Sequence, residues 1–135
     1  MAEMNDRFST TFKMKDGETT LAQYCVAVLD TAAEGGVKRP AGAGAGNIAG
    51  VLRDTEHEAG KYASYQVAGI AKVTVSEAVA VGDMLIVADV QGRVKPKGTG
   101  AHNSGVGIVG RAISPATTAG SLVKVILTIP DEYSS

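Results

Sequence analysis

Tryptophan is absent from this 135-residue chain, and Phe and Tyr bring the aromatics to only 4%. A core must therefore be assembled from Val, Ile, Leu and Ala, within a hydrophobic share of 44%. No stretch carries a convincing helical period of apolar positions, so little or no helix is expected. Cys25 is the only cysteine, which excludes an intrachain disulfide and suits a reducing compartment. No apolar run approaches the roughly 18 residues of a membrane span. The first twenty residues lack the apolar centre of a secretory signal. A basic excess is missing as well: the net charge of −1 and pI near 6.1 argue against a general nucleic-acid binder.

What is present is a series of short β-branched runs punctuated by 17 glycines. The clearest is Val79 to Pro96. It turns at Gly82-Asp83, runs on as Met84 to Ala88, turns again at Asp89 to Gly92 and returns as Arg93-Val94-Lys95. Such spacing predicts a β-hairpin. Leu85 and Val87 point to one face, Met84, Ile86 and Ala88 to the other, and both faces are apolar. A second covering surface is therefore expected, either another wall of the same domain or a neighbouring subunit. Ile70, Met84 and Ile86 are the candidates for subunit contact.

Further strands are expected at Tyr24 to Leu29, Val37 to Arg39, Ile48 to Arg53, Val106 to Ile113 and Ser121 to Pro130. Tyr62 to Val75 reads as one long strand with Tyr65, Val67, Gly69, Ala71, Val73 and Val75 on its buried face. Ile48, Gly50 and Gly60 recur at a constant offset as Ile108, Gly110 and Gly120. Two similar halves, about 21–76 and 79–133, follow from this. The fold class is thus all-β, a small barrel or sandwich of short antiparallel strands in a single domain over 21–135.

Residues 1–20 differ from the rest. They hold no Val, Ile or Leu, yet contain both Phe residues, Phe8 and Phe12, flanked by Arg7, Lys13 and Lys15. A segment so poor in apolar surface cannot order itself. Two readings stand: a solvated terminus, or an extended arm that orders on a partner through Phe8 and Phe12.

Groups for catalysis are few. His57 lies between Glu56 and Glu58 in a charged turn and His102 in a Gly-rich loop, and both read as surface histidines. No paired spacing of metal ligands occurs, so neither a metal nor a cofactor is expected. Cys25, in an apolar strand, reads as a small buried hydrophobe. Gly44-Ala45-Gly46-Asn47-Ile48-Ala49 fits G-x-G-x-x-A, but no strand precedes it and no helix follows, so a mobile loop is the better reading. The stretch Val79-x-x-Gly82-Asp83-x-Leu85 resembles a strand of biotinyl and lipoyl carrier domains. Those domains place a modifiable Lys at the hairpin tip, whereas Asp89 to Gly92 has none.

Val81-Gly82-Asp83 before the apolar strand, Asp89-x-x-Gly92-x-Val94, Ile108 to Ala112 and the closing strand Val123 to Leu127 stand together in this order. In that combination the chain, over about Leu21 to Pro130, resembles the capsid decoration (cement) proteins of tailed bacteriophages. The resemblance implies a compact β-barrel with no enzymatic activity, usually trimeric, on the outer surface of the virion head at three-fold and quasi-three-fold positions. It implies the major capsid protein as partner, with no nucleic acid and no membrane, and stabilisation of the expanded head. The N-terminal arm, through Arg7, Phe8, Phe12 and Lys13, is then the expected capsid contact. A small-ligand-binding or carrier-type barrel is the alternative.

Overall fold

A computed structural model describes residues 9–98 and 106–128. Arg7, Phe8, His102, Ile129 and the polar tail lie outside the described residues. In chain order the strands are β1 (Ser9–Met14), β2 (Leu21–Ala22), β3 (Val26–Leu29), β4 (Gly36–Lys38), β5 (Ile48–Leu52), β6 (Glu56–His57) and β7 (Tyr62–Gln66). They continue as β8 (Ile70–Thr74), β9 (Met84–Val87), β10 (Val94–Pro96), β11 (Ile108–Ala112) and β12 (Leu122–Leu127). Among the described residues there is no helix. The all-β class expected from the sequence is the one found, and the hairpin pairs Val87 with Val94 and Leu85 with Pro96.

Strands β1-β4-β3-β5-β7 form a closed barrel. Strands β10-β9-β11-β12-β8 form a second sheet. Position by position the two are the same unit: β4, β3, β5, β7 and β1 correspond to β10, β9, β11, β12 and β8. Smaller details repeat too. The parallel contact Met14↔Val37 has its counterpart in Val75↔Val94, and Leu21↔His57 in Val79↔Ala116. Met14 N donates to Lys61 O at 2.9 Å, and Val75 N to Ser121 O at 2.9 Å. Even the left-handed backbone of Tyr24 (φ 67°) recurs, at Gly82 (φ 95°).

Two expectations change in this light. Ser9–Met14, grouped by composition with a free arm, is a barrel strand paired with β7 from Ser9↔Gln66 to Lys13↔Tyr62. Met14 is wholly buried and the Phe12 ring meets Tyr65 edge-on at 5.7 Å. Cross-strand pairing, not apolar content, orders this segment, which is why its polarity misled. The repeats accordingly run 9–66 and 70–127, each beginning with the strand that fills the last place in its sheet. The expected long strand Tyr62 to Val75 is also divided, at Gly69 (φ 82°), between the two units. Alternation continues in phase across the break, so Tyr65 enters the first core while Ala71, Val73 and Val75 enter the second.

The first barrel encloses Met14, Leu21, Cys25, Ala27, Val37, Leu52 and Tyr65. The second core holds Val73, Val75, Leu85, Val87, Val94, Val109, Val123 and Val125, and to these the first unit adds Val26, Ile48 and Val51. The units are thus joined by apolar burial as well as by backbone bonds. Val26 N donates to Gly92 O at 2.8 Å, Thr74 N to Tyr24 O at 2.9 Å and Gly44 N to Val87 O at 2.9 Å. The Gly-rich loop, expected to be mobile, is held in this junction, and a β-carbon on Gly107 would meet Ala45 O at 2.6 Å.

The repeated Ile-x-Gly has a steric cause. Each glycine follows an irregularity in register, between Ala27 and Val28 opposite β5 and between Ile108 and Gly110 in β11. There the bulged strand approaches its neighbour closely. A β-carbon on Gly50 would lie 2.7 Å from Gln66 O, and one on Gly110 would overlap Ile126 O. Gly50→Ala and Gly110→Ala are each expected to lower stability by about 1–3 kcal/mol, the range for overpacking. Urea unfolding of each variant measures it; no loss in either would show that the bulge relaxes freely.

Candidate functional site

Among the described residues, no group of three or more His, Cys, Asp or Glu side chains is placed to hold a metal ion. The polar cluster that does exist is inside the first barrel. His57, expected at the surface, is 1% exposed, because the Leu21↔His57 pairing turns its ring into the barrel end. Its Nε2 lies 2.6 Å from Lys61 O, an acceptor only, so Nε2 carries the proton. Nδ1 then accepts from the Tyr65 hydroxyl at 2.8 Å. Both ring nitrogens are satisfied within the barrel, which is what a structural histidine requires.

Cys25 is buried, as its apolar surroundings in the sequence suggested. Burial pushes its thiol above the ordinary value, with a hydrogen bond to Thr74 opposing the shift and Asp89 adding to it. Burial, with smaller contributions from Asp54 and Cys25, pushes the Tyr65 phenol far up. Both groups are held protonated, which suits packing and not nucleophilic chemistry.

The remaining candidates are surfaces. Across the outer side of the second sheet, Met84, Arg111, Ile126 and Ile70 stand in register on β9, β11, β12 and β8. Ile70 is 57% and Ile126 46% exposed, and Lys72 pairs with Lys124 beside them. The structure places two of the proposed subunit-contact candidates, Ile70 and Met84, in one row. Ile86 is separated from them: it is only 3% exposed and is covered within the chain. Ile126 was missed, although an apolar residue in the outward register between Lys124 and Thr128 was the available signal. A cleft of about 420 Å³ opens on the opposite unit, beside the β1–β4 contact, lined by Lys13, Lys15, Asp16, Asp30, Glu34 and Tyr62 among others. Lys13 is exposed there, while Phe12 is half-buried against the barrel.

The hairpin tip does not project. Val90 O accepts from Arg39 Nε at 2.8 Å, and Asp89 bonds Arg93 through Nε at 2.9 Å and Nη2 at 2.7 Å. A carrier domain needs this turn free, so the geometry weighs against that reading.

No family model matches the chain, and no curated protein does. Solved structures do match, and to one of them the chain is similar over nearly its whole length. It is the crystal structure of the head fiber gp8.5 N base in bacteriophage phi29. The likeness has a TM-score of 0.63 at 15% identity, covering 89% of this chain and 92% of that one. At this identity it is the fold that is shared, and the small β-barrel implied by the sequence resemblance is that fold.

Tyr65→Phe removes the partner of a buried ring nitrogen and is expected to cost about 1–3 kcal/mol near neutral pH. The raised Tyr65 and Cys25 values have a pH consequence as well. The unfolded chain releases these protons from about pH 9 to 10, the ordinary values, while the folded chain retains them. Stability is therefore full below that window and falls as pH rises through it. Tyr65→Phe should lose less stability than the parent chain between pH about 8 and 11 in chemical denaturation. Parallel losses would remove Tyr65 from the account.

Proposed function

We propose that the chain is a structural protein of a phage virion, bound to the outer surface of the head through the major capsid protein. The observation that carries this reading is the shared fold with a phage head fiber base over nearly all of both chains. It agrees with the independent resemblance of Val81-Gly82-Asp83, Asp89 to Val94 and Ile108 to Ala112 to decoration proteins. The motif residues have a physical role in the second sheet: Gly82 N donates to Ala112 O at 2.8 Å and Ala112 N to Asp83 O at 2.9 Å. These bonds fasten the turn before β9 to the end of β11.

In this reading the protein works as a homotrimer at three-fold and quasi-three-fold positions and stabilises the expanded head by linkage. A ligand that binds the assembled shell and not its free subunits stabilises assembly by RT ln(1 + [L]/Kd), about 2.7 kcal/mol per site at a hundredfold excess over Kd. Many copies multiply that term, and several attachment points per trimer hold individually weak contacts in place. Arg7, Phe8 and Lys13 are the proposed capsid contacts. Phe12 belongs to the barrel instead, since its ring packs on Tyr65. The protein needs no cofactor, nucleic acid or membrane for this work, and it carries out no catalysis.

The placement of β1 determines how the proposal is tested. Removing residues 1–20 deletes a barrel strand, whereas a chain of residues 9–135 keeps it. Full-length protein is expected to co-sediment saturably with decoration-free heads of the phage that encodes it. Residues 9–135, or the Arg7→Ala/Phe8→Ala pair, should bind at least roughly tenfold more weakly, about 1.4 kcal/mol. Equal binding by all three would move the contact from residues 7 and 8 to the barrel. No binding by the full-length chain would remove the capsid from the proposal.

A further inference from the structure

Each repeat serves as a template for the other. In the first unit Val26, Val51, Gln66 and Ser9 form a row across four paired strands. The Val26 and Val51 end of that row is buried in the core of the second unit. The matching row of the second unit is Met84, Arg111, Ile126 and Ile70. Ile126 and Ile70 are 46% and 57% exposed.

The surface that receives the first row also has a counterpart. Thr74, Val87 and Gly92 of the second unit meet the first unit. Their equivalents in the first unit are Lys13, Leu29 and Gly35. Gly92 and Gly35 share the left-handed backbone, at φ 84° and 73°. Val87 is fully buried, whereas Leu29 at the matching place is exposed. Charge agrees with the pairing. Arg111, Lys72 and Lys124 surround the open row, and the cleft beside Gly35 carries Asp16, Asp30 and Glu34 against the two cations Lys13 and Lys15, an acidic balance.

We propose that the Met84–Arg111–Ile126–Ile70 face of one copy docks through its side chains on the Leu29–Glu34 side of a second copy, at the places that correspond to the junction within a chain. Lys13 N and Gly35 O of the receiving unit bond each other, so the backbone bonds of that junction are not repeated. The contact is head to tail, so it uses two different surfaces on each molecule and closes only as a ring. It provides the interface for the trimer proposed above and rests on that reading only for the number of copies. The capsid plays no part in forming it.

Sedimentation velocity of the full chain without heads tests the proposal. The parent chain is expected to sediment as a closed oligomer, and Ile126→Glu as a single chain with unchanged circular dichroism. Arg111→Glu and Glu34→Arg are each expected to weaken association at least tenfold, and the double exchange to restore it to within about threefold. A monomeric parent chain at about 100 μM overturns the proposal, as does an Ile126→Glu variant that stays assembled. Absence of rescue in the double exchange overturns the pairing of the two faces. An Ile126→Glu variant that assembles normally but no longer binds heads gives this face to the capsid instead. Co-sedimentation with heads is read separately, so failure of self-association and failure of capsid binding are distinguishable.

Discussion

Backbone groups at an open sheet edge must find partners, and the two units of this chain satisfy that requirement in different ways. In the first, β1 meets β4 directly, with Lys13 N donating to Gly35 O at 3.1 Å, and the barrel closes on itself. In the second, the corresponding edges meet only at Val75↔Val94. Tyr24 O and Val26 N of the first unit then take the bonds of Thr74 and Gly92. The second unit is completed by the first. Val26, Ile48 and Val51 follow the same route into its core, so polar satisfaction and apolar burial coincide at one junction. A β-carbon on Gly92 would run into the Val26 backbone, and this is why that turn position is glycine.

The barrel and the sheet it completes are joined by backbone bonds and by apolar burial. The most polar interior group, His57, is held by Tyr65 and Lys61, and the Cys25 thiol is buried. On the outside lie an apolar row edged with cations on one unit and a cleft lined by acids and lysines on the other. Such a molecule suits assembly, where energy comes from many modest contacts repeated by symmetry.

Much of the fold was legible because its signals are local. Turn glycines and alternating Val and Ile marked the hairpin and the closing strand, and the recurrence of Ile48, Gly50 and Gly60 exposed the duplication. What failed was non-local. Ser9–Met14 has the composition of a solvated tail and becomes a strand only because β7 and β4 are there to pair with it. The division at Gly69 is silent in the sequence because alternation keeps its phase. His57 looked solvated between two glutamates, and only the β2–β6 pairing turns it inward. Of the candidates for subunit contact, Ile70 and Met84 share one outward row, while Ile86 is buried, a difference that periodicity alone does not carry. Ile126 escaped notice because its neighbours on the strand are so clearly inward.

The most direct test of the central claim is a pair of cryo-electron microscopy reconstructions of the heads, one bare and one saturated with the protein. Difference density is predicted on the outer surface at three-fold and quasi-three-fold positions, each accommodating three copies of the chain. Density confined to the interior or the tail vertex, or no difference between the two maps, would contradict it.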